Sequence, residues 1–236
     1  VPTCQVYDPA FAYEMGVIVE DGIRRMYGAG HDIYYYLTVY NENYPQPPKP
    51  EGSDQGILDG LYRWAPAPTG TAHPSAILFS GSANLAARQA QQELAEHYGV
   101  GAELWSATSY KKLREQALSV DRWNLLHPSD HRRVPLVTAA LTDEGGPLVA
   151  VSDFVRMVPD QIQRWVPGSF TVLGTDGFGR SDGRPQLRRF FEIDAGHIVT
   201  ATLSGLVRDG RIGPGAIEDA FRRYGIDPEI GPSWER

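Results

Sequence analysis

Two short stretches of the chain combine side chains that could bind a ligand. Asn41-Glu42-Asn43-Tyr44 places two amides, a carboxylate and a phenol directly after an aromatic and β-branched run. The glycine-rich stretch from Gly174 to Asp182 contains Asp176, Arg180 and Ser181. Polar groups that follow a strand can reach a cleft, and backbone amides near a helix start can hold an anion. All seven side chains are therefore candidate substrate or interface contacts.

Each stretch also has a simpler structural interpretation, which the sequence favours. Asn and Glu side chains readily satisfy loop backbone, so residues 41–44 could form a polar network that holds a turn. In the glycine-rich stretch, Asp176 and Asp182 could satisfy local amides in a tight turn. The glycines at positions 174, 177 and 179 do not fit Gly-x-Gly-x-x-Gly. A dinucleotide-binding loop is therefore not indicated.

Other residues with reactive side chains lack the partners that catalysis or metal binding needs. His127 and His131 have helical spacing, but Pro128 interrupts the helical face and no third metal ligand is evident. Ser82 lies in no Gly-x-Ser-x-Gly motif, and we predict that it caps the following helix. Cys4 has no histidine nearby in the sequence, and we predict a small buried residue ahead of a helix. The sequence identifies no catalytic and no metal-binding residue.

From residue 75 onward, strand-like runs alternate with helical ones. A β-branched or apolar run is followed each time by an amphipathic stretch, the order of a parallel α/β unit. The predicted pairs are 76–79 with 85–98, 102–105 with 109–118, 148–151 with 154–166, and 171–173 with a helical tail. Four such units predict a three-layer αβα fold around a mainly parallel sheet.

The first 50 residues have a different pattern. Asp8 and Pro9 are a strong helix start, so we predict a helix over residues 9–27. Residues 33–39 are aromatic and β-branched, which suits a strand buried on both faces. Two proline-rich stretches follow, on either side of a short predicted strand at residues 61–64. We therefore predict the tail of another α/β domain over residues 1–50, a linker over 51–74 and a carboxyl-terminal domain over 75–236.

Composition excludes several classes of protein. The net charge of −7 argues against a nucleic-acid-binding surface, which needs clustered positive charge. No run approaches the roughly 18 apolar residues that span a bilayer, so we expect no membrane partner. The single cysteine allows no internal disulfide, which favours a cytoplasmic location.

Several blocks of the sequence resemble one enzyme family. The stretch Gly-Thr-Asp-Gly-Phe-Gly-Arg-Ser-Asp at 174–182, Phe-Glu-Ile-Asp at 191–194 and Arg-Trp-Asn-Leu-Leu-His-Pro at 122–128 are similar to the homodimeric-type pyruvate dehydrogenase decarboxylating component. Further matching blocks lie at 7–14, 34–38, 41–44, 98–101 and 133–135, in the family's order. They resemble only its carboxyl-terminal quarter. We therefore expect a piece of a much longer subunit with a transketolase-like carboxyl-terminal domain.

The resemblance implies an oxidoreductase that uses thiamine diphosphate and magnesium. Such an enzyme decarboxylates pyruvate and acetylates the lipoyl group of the dihydrolipoyl acetyltransferase in the pyruvate dehydrogenase complex. The implied partners are the rest of its own subunit, the second subunit of a homodimer and that acetyltransferase. The family's cofactor-binding and catalytic residues lie upstream. This chain by itself is therefore expected to be inactive and to bind neither cofactor.

One stretch of the chain partly resembles a cofactor-binding motif. Thiamine enzymes hold magnesium and the diphosphate with Gly-Asp-Gly and a later asparagine, which Glu20-Asp21-Gly22 with Asn41 and Asn43 partly resembles. Glu20 replaces the leading glycine, and Asp21 lies inside a predicted helix, where octahedral ligand convergence is difficult. The motif is therefore set aside. Two alternatives stay open: a transketolase-type thiamine enzyme, and an interaction module with no enzyme attached.

Overall fold

The computed structural model describes residues 1–236, except for the side chain of Glu144. The strands are β1 (Cys4–Tyr7), β2 (Tyr34–Leu37), β3 (Tyr62–Ala65), β4 (His73–Phe79), β5 (Val100–Ser106), β6 (Leu148–Val151) and β7 (Phe170–Leu173). The α-helices are α1 (Ala12–Ile23), α2 (Asp54–Asp59), α3 (Asn84–Tyr98), α4 (Tyr110–Leu126), α5 (Leu136–Leu141), α6 (Met157–Asp160), α7 (Arg184–Phe190), α8 (Ala195–Arg208) and α9 (Gly215–Tyr224).

A five-stranded sheet with the order β3-β5-β4-β6-β7 forms the centre of the molecule. Its pairs are parallel except at the edge, where β3 runs antiparallel to β5. Ile77 and Phe79 of β4 pack on one face with α3, α8 and α9, whereas Ala76 and Leu78 pack on the other with α4 and α5. Helices therefore cover both faces, and the predicted three-layer, mainly parallel α/β fold is confirmed.

A second, smaller sheet precedes it. The strands β1 and β2 pair in parallel, with Tyr7 opposite Leu37, and α1 packs beside them through the buried Ile18. β1 was not predicted, and Cys4 is a half-buried strand residue, not a buried residue ahead of a helix. The prediction that the second strand is buried on both faces is wrong, because Tyr34 and Tyr36 are more than half exposed. Only the face toward α1 contributes to the core.

The first helix begins later than the Asp8-Pro9 signal predicts. Its N-cap is Phe11, and it ends in a π-helical turn over residues 24–28. The Asp8 carboxylate instead accepts hydrogen bonds from the hydroxyls of Thr38 and Tyr40. The Asp8 side chain therefore bonds to residues about 30 positions away instead of capping the helix, as the local sequence predicts.

The predicted helix over residues 154–166 is also wrong. The structure has only the short α6 and a 3-10 turn at Gln163–Trp165. Pro159 lacks the amide hydrogen that a continuous helix needs, and its ring clashes with the preceding turn. Ser82 is not a helix cap either, because α3 is capped by Ala83 and the Ser82 hydroxyl donates to Asp153.

The connection between the two sheets is partly irregular and partly ordered. Residues 38–53, all of them described, contain no helix or strand, as the prolines predict. They are followed by α2 and β3, and β3 forms the edge of the five-stranded sheet. Within the described part of the chain, none of the helices combines the length and apolar character needed to cross a bilayer.

Candidate functional site

The five-stranded sheet has a crevice where its strand order reverses. From β4 the chain continues to β5 on one side, and from β6 it continues to β7 on the other. The loops after β4 and β6 therefore diverge, and ligands of open parallel sheets bind at such a point. Here the loop after β4 contains Gly81 and Ser82, and the loop after β6 contains Ser152 and Asp153. This crevice is the candidate functional site.

The chain's own residues occupy much of this crevice. Tyr40, in the segment after β2, donates its hydroxyl to Asp8 Oδ1 over 2.6 Å. Gly81 has a φ of 50°, and a Cβ at this position would overlap the ring of Tyr40. A glycine is therefore required here both for the backbone conformation and for the close approach.

An ion pair between α7 and the segment after β2 bridges the crevice. Arg188 of α7 donates from Nη1 to Glu42 Oε1 over 3.2 Å and from Nη2 to Oε2 over 2.5 Å. Both side chains are less than one-fifth exposed. Arg184, one turn earlier, donates to Asn41 Oδ1 over 2.6 Å. The loop after β2 is thereby fixed to α7 through two-point, charge-assisted hydrogen bonds.

The rest of the crevice is a cavity of about 230 Å³. In its wall the Ser82 hydroxyl donates directly to the Asp153 carboxylate, and Arg188 Nη2 lies 3.5 Å from Ser82 Oγ. No histidine lies among the described residues that line the cavity, so no imidazole stands between the serine and the carboxylate. The arrangement suits a polar clamp better than an activated nucleophile.

Burial changes the acidity of the groups at the base of the crevice. It raises the pKa of the Asp8 carboxyl, although hydrogen bonds from Thr38, Tyr40 and Ser80 oppose that change. Burial likewise raises the pKa of the Tyr40 phenol, and the nearby Asp8 charge adds to it. Tyr40 therefore stays a protonated donor to Asp8 at physiological pH.

The structure brings together only part of the first candidate stretch. Asn41 and Glu42 bind Arg184 and Arg188 of α7, and we call these contacts, with those of Tyr40 to Asp8 and of Ser82 to Asp153, the clamp. Asn43 is exposed. Tyr44 points elsewhere and donates its hydroxyl to the carbonyl of Ala10.

Sequence reasoning missed the clamp's other members. These are Arg184, Arg188, Asp8 and Asp153. For Asp153 a signal existed, because it is the second residue after β6. For the arginines there was none, because their partners lie more than 140 residues away in the sequence.

The second candidate stretch lies beside the crevice. Asp176 accepts from the backbone amide of Arg156 over 3.0 Å, and its carboxylate is 3.4 Å from the Arg156 guanidinium. Ser181 is exposed. The guanidinium of Arg180 lies 4.2 Å from the centre of the Phe190 ring. These contacts hold Asp176 and Arg180 against their neighbours, whereas much of the rest of the loop, including the 90% exposed Phe178, faces solvent.

Replacing Arg180 by alanine is expected to lower the free energy of unfolding by less than about 1 kcal/mol, since an exposed cation–π contact is worth about 0.5–1 kcal/mol. Thermal unfolding of the purified variant measures the change. Arg180→Lys is the matched control, because it keeps the charge without the planar guanidinium. A loss above about 2 kcal/mol would contradict this account of the loop.

The residues of the two metal-like patterns have other partners. Asp21 receives hydrogen bonds from Arg24, Arg25 and Tyr35. His127 Nδ1 is 2.8 Å from the carbonyl of Trp123. Among the described side chains, no three or more His, Cys, Asp or Glu residues cluster in a way that could hold a metal ion.

Comparison with known proteins agrees with the fold. A family model described as the pyruvate dehydrogenase E1 component middle domain matches residues 1–47, and one described as the transketolase-like TK C-terminal domain matches residues 60–194. A transketolase from Leishmania mexicana has a TM-score of 0.57 at 20% identity, covering 87% of this chain and 26% of that one. At this identity the likeness shows the fold alone.

Curated relatives are more similar in sequence. The pyruvate dehydrogenase E1 component of Mycolicibacterium smegmatis is 46% identical over 96% of this chain, and that of Escherichia coli is 41% identical over 97%. The chain spans about a quarter of their length, 24% and 26% respectively. These matches confirm the family resemblance seen in the sequence. The chain therefore belongs to the transketolase-like family and, within it, corresponds to the carboxyl-terminal part of a pyruvate dehydrogenase E1 component.

Proposed function

We propose that this chain is the structural carboxyl-terminal part of an E1 subunit that oxidatively decarboxylates pyruvate and acetylates the lipoyl group of an acetyltransferase. Its similarity to E1 components over nearly the whole chain supports this proposal. The observation that carries the structural role is that the chain's own side chains bridge the switch-point crevice. Where open α/β sheets bind ligands, this chain places its own Tyr40, Glu42 and Arg188.

The contacts across the crevice support an assembly role because they join the two sheets. The segment after β2 belongs to the small sheet, whereas α7 and the loops after β4 and β6 belong to the large one. Buried and half-buried polar contacts between them favour one relative orientation. We propose that this orientation completes the α/β domain to which residues 1–50 belong. In this proposal residues 75–236 form the carboxyl-terminal domain, and residues 51–74 connect the two.

The crevice does not fit thiamine diphosphate or magnesium. Arg188 binds Glu42, Ser82 binds Asp153, and two hydroxyls donate to Asp8 Oδ1, so each carboxylate has at least one engaged oxygen. Asp8 Oδ2 has no partner among the described residues, but it is buried. Magnesium needs oxygen ligands in near-octahedral convergence, and the remaining cavity of about 230 Å³ is smaller than the roughly 300–1,000 Å³ of small-molecule sites. We propose that both cofactors bind the longer subunit through residues outside this stretch.

Calorimetry tests this proposal. The 236-residue chain, titrated with thiamine diphosphate and magnesium, is expected to give no binding tighter than about 1 mM, which corresponds to roughly 4 kcal/mol. A complete E1 subunit in the same buffer is the positive control. Micromolar binding by the short chain would contradict the proposal, because it would require a cofactor site within these residues.

The two alternatives predict different activities for the complete protein. A transketolase-type enzyme would transfer two-carbon units between sugar phosphates, and an interaction module would show neither that activity nor pyruvate decarboxylation. The sequence identity to E1 components favours the first proposal over both. Two measurements separate all three. The first determines the coding sequence upstream of Val1, and the second assays the complete encoded protein for pyruvate decarboxylation.

The oligomeric state, the protein partner and the location of the enzyme are part of the same proposal. The family resemblance supports a homodimeric subunit that meets the acetyltransferase. The single cysteine supports a cytoplasmic location. Sedimentation of the complete subunit, with and without the acetyltransferase, measures both associations.

A further inference from the structure

The carboxyl-terminal end of α4 exposes a cluster of large apolar side chains. Leu125, Leu126 and Val134 are 78%, 54% and 57% exposed, on the last turn of the helix and the loop that follows it. Single exposed apolar residues are ordinary, whereas neighbouring ones on a rigid support mark interaction sites. We call these three residues, together with Arg122, Arg132 and Arg133, the α4 patch.

Side-chain contacts hold the loop of the α4 patch in place. Asn124 clamps the backbone of Arg133, donating to its carbonyl over 2.9 Å and accepting from its amide over 2.8 Å. The His127 ring stacks on Trp123 with centroids 4.5 Å apart, and the Arg133 guanidinium lies 3.8 Å from the centre of the Trp123 ring. The exposed side chains therefore project from a preorganised surface, which lowers the entropy cost of binding.

The patch is positively charged although the chain as a whole carries −7. Arg122, Arg132 and Arg133 form no ion pair with any described side chain. Asp121, which precedes Arg122 on α4, accepts from Arg164 over 2.9 Å and from the indole of Trp165. One acidic residue, Asp130, lies in the loop between the arginines of the patch.

We propose that the α4 patch docks a partner-protein segment that presents leucine-type side chains flanked by carboxylates. The apolar residues would be covered by its apolar stripe, and the three guanidinium groups would meet its acidic flanks. Tryptophan and arginine held in a rigid setting are the side chains that most often dominate interface energetics. The inference is independent of the pyruvate chemistry proposed above.

A synthetic peptide tests the charge and shape requirement. The probe is an amphipathic helical peptide with leucines at i, i+3, i+4 and i+7 and glutamates elsewhere, and binding is followed by fluorescence anisotropy. We expect a dissociation constant of about 1–100 µM at low salt, which rises at physiological salt because exposed charges are screened. Leu125→Asp and Arg133→Glu are each expected to weaken binding roughly tenfold or more.

Controls separate a specific site from general stickiness. Met157→Asp changes another exposed apolar residue, on α6, and should leave binding unchanged. A peptide with lysines in place of the glutamates should not bind. Circular dichroism melting checks that each variant is folded.

Three results would overturn the proposal. The first is no binding of the acidic peptide, and the second is equal binding of the lysine peptide. The third is slower hydrogen exchange of residues 122–134 in the complete subunit than in this chain, or self-association of this chain that Leu125→Asp abolishes. Either form of the third result would mean that the subunit itself or a second copy covers the patch.

Discussion

Replacing Glu14 by alanine is expected to lower the free energy of unfolding by about 3–5 kcal/mol, the range for breaking a buried polar network. Glu14 lies on α1 and is fully buried. Its Oε2 accepts from the amides of Ala10 and Phe11, and its Oε1 accepts from the hydroxyls of Tyr62 and Ser106, each over 2.7 Å. Alanine would remove the acceptor of all four donors, and of these only the Tyr62 hydroxyl has a second partner among the described side chains, the hydroxyl of Tyr13.

Urea unfolding of the purified chain measures this effect, with two matched variants. Glu20→Ala removes an exposed carboxylate from the same helix and should change the free energy of unfolding by less than about 0.5 kcal/mol. Glu14→Gln keeps the size of the side chain, and its amide can donate to the two hydroxyls. It should cost much less than alanine. A Glu14→Ala loss no larger than that of Glu20→Ala would contradict the network.

The same residue makes stability depend on pH. Burial raises the pKa of Glu14 in the folded protein, although four hydrogen bonds act in the opposite direction. The folded state therefore holds this proton at pH values where the unfolded state, with a pKa of about 4.3, has lost it. Relative to Glu14→Gln, the native chain should lose stability as the pH rises above that value. A relative gain over this interval would show that the pKa is lowered.

Removing Arg188 is expected to have the second-largest effect, a loss of about 2 kcal/mol in the free energy of unfolding. This loss lies between the values for breaking an exposed ion pair and a fully buried one. Arg188→Ala takes away both hydrogen bonds to Glu42 and leaves that half-buried carboxylate with the distant Arg184, 3.8 Å away. The amide of Thr38, which donates to the carbonyl of Tyr7 at the start of the segment after β2, should then exchange its hydrogen faster. Urea unfolding and hydrogen exchange at Thr38 measure the two consequences.

Arg184→Ala is the matched control for this clamp, because Arg184 is half exposed and contacts the same loop. It should cost no more than about 1 kcal/mol. A double-mutant cycle with Glu42→Ala should assign about 1–2 kcal/mol of coupling to the Arg188–Glu42 pair. Equal losses for Arg184→Ala and Arg188→Ala, without coupling, would mean that the crevice is not held by this ion pair.

The large sheet could be predicted from the sequence because its signals are local. β6 begins and ends at its predicted residues, since a strand buried on both faces is a short uninterrupted apolar run. Gly99 has a φ of 62° at the end of α3, as a left-handed helix cap requires. Alternating strand and helix patterns were then enough to predict a parallel sheet in three layers.

The predictions failed where a distant partner changed what a local pattern indicates. Asp8 was expected to cap a helix, but Thr38 and Tyr40 bind its carboxylate. The aromatic run of β2 was expected to be buried on both faces, but α1 covers only one. Local propensity is a weak prior, and tertiary contacts override it.

The sequence by itself determined the family, the three-layer fold and the presence of polar residues after β2, since these depend on residue types and short spacings. Only the tertiary structure decided that Asn41 and Glu42 meet Arg184 and Arg188 and that Tyr40 enters the switch-point crevice. The pairing of residues more than 140 positions apart is set by how the two sheets pack together. That packing is a property of the whole chain, so no local pattern encodes it.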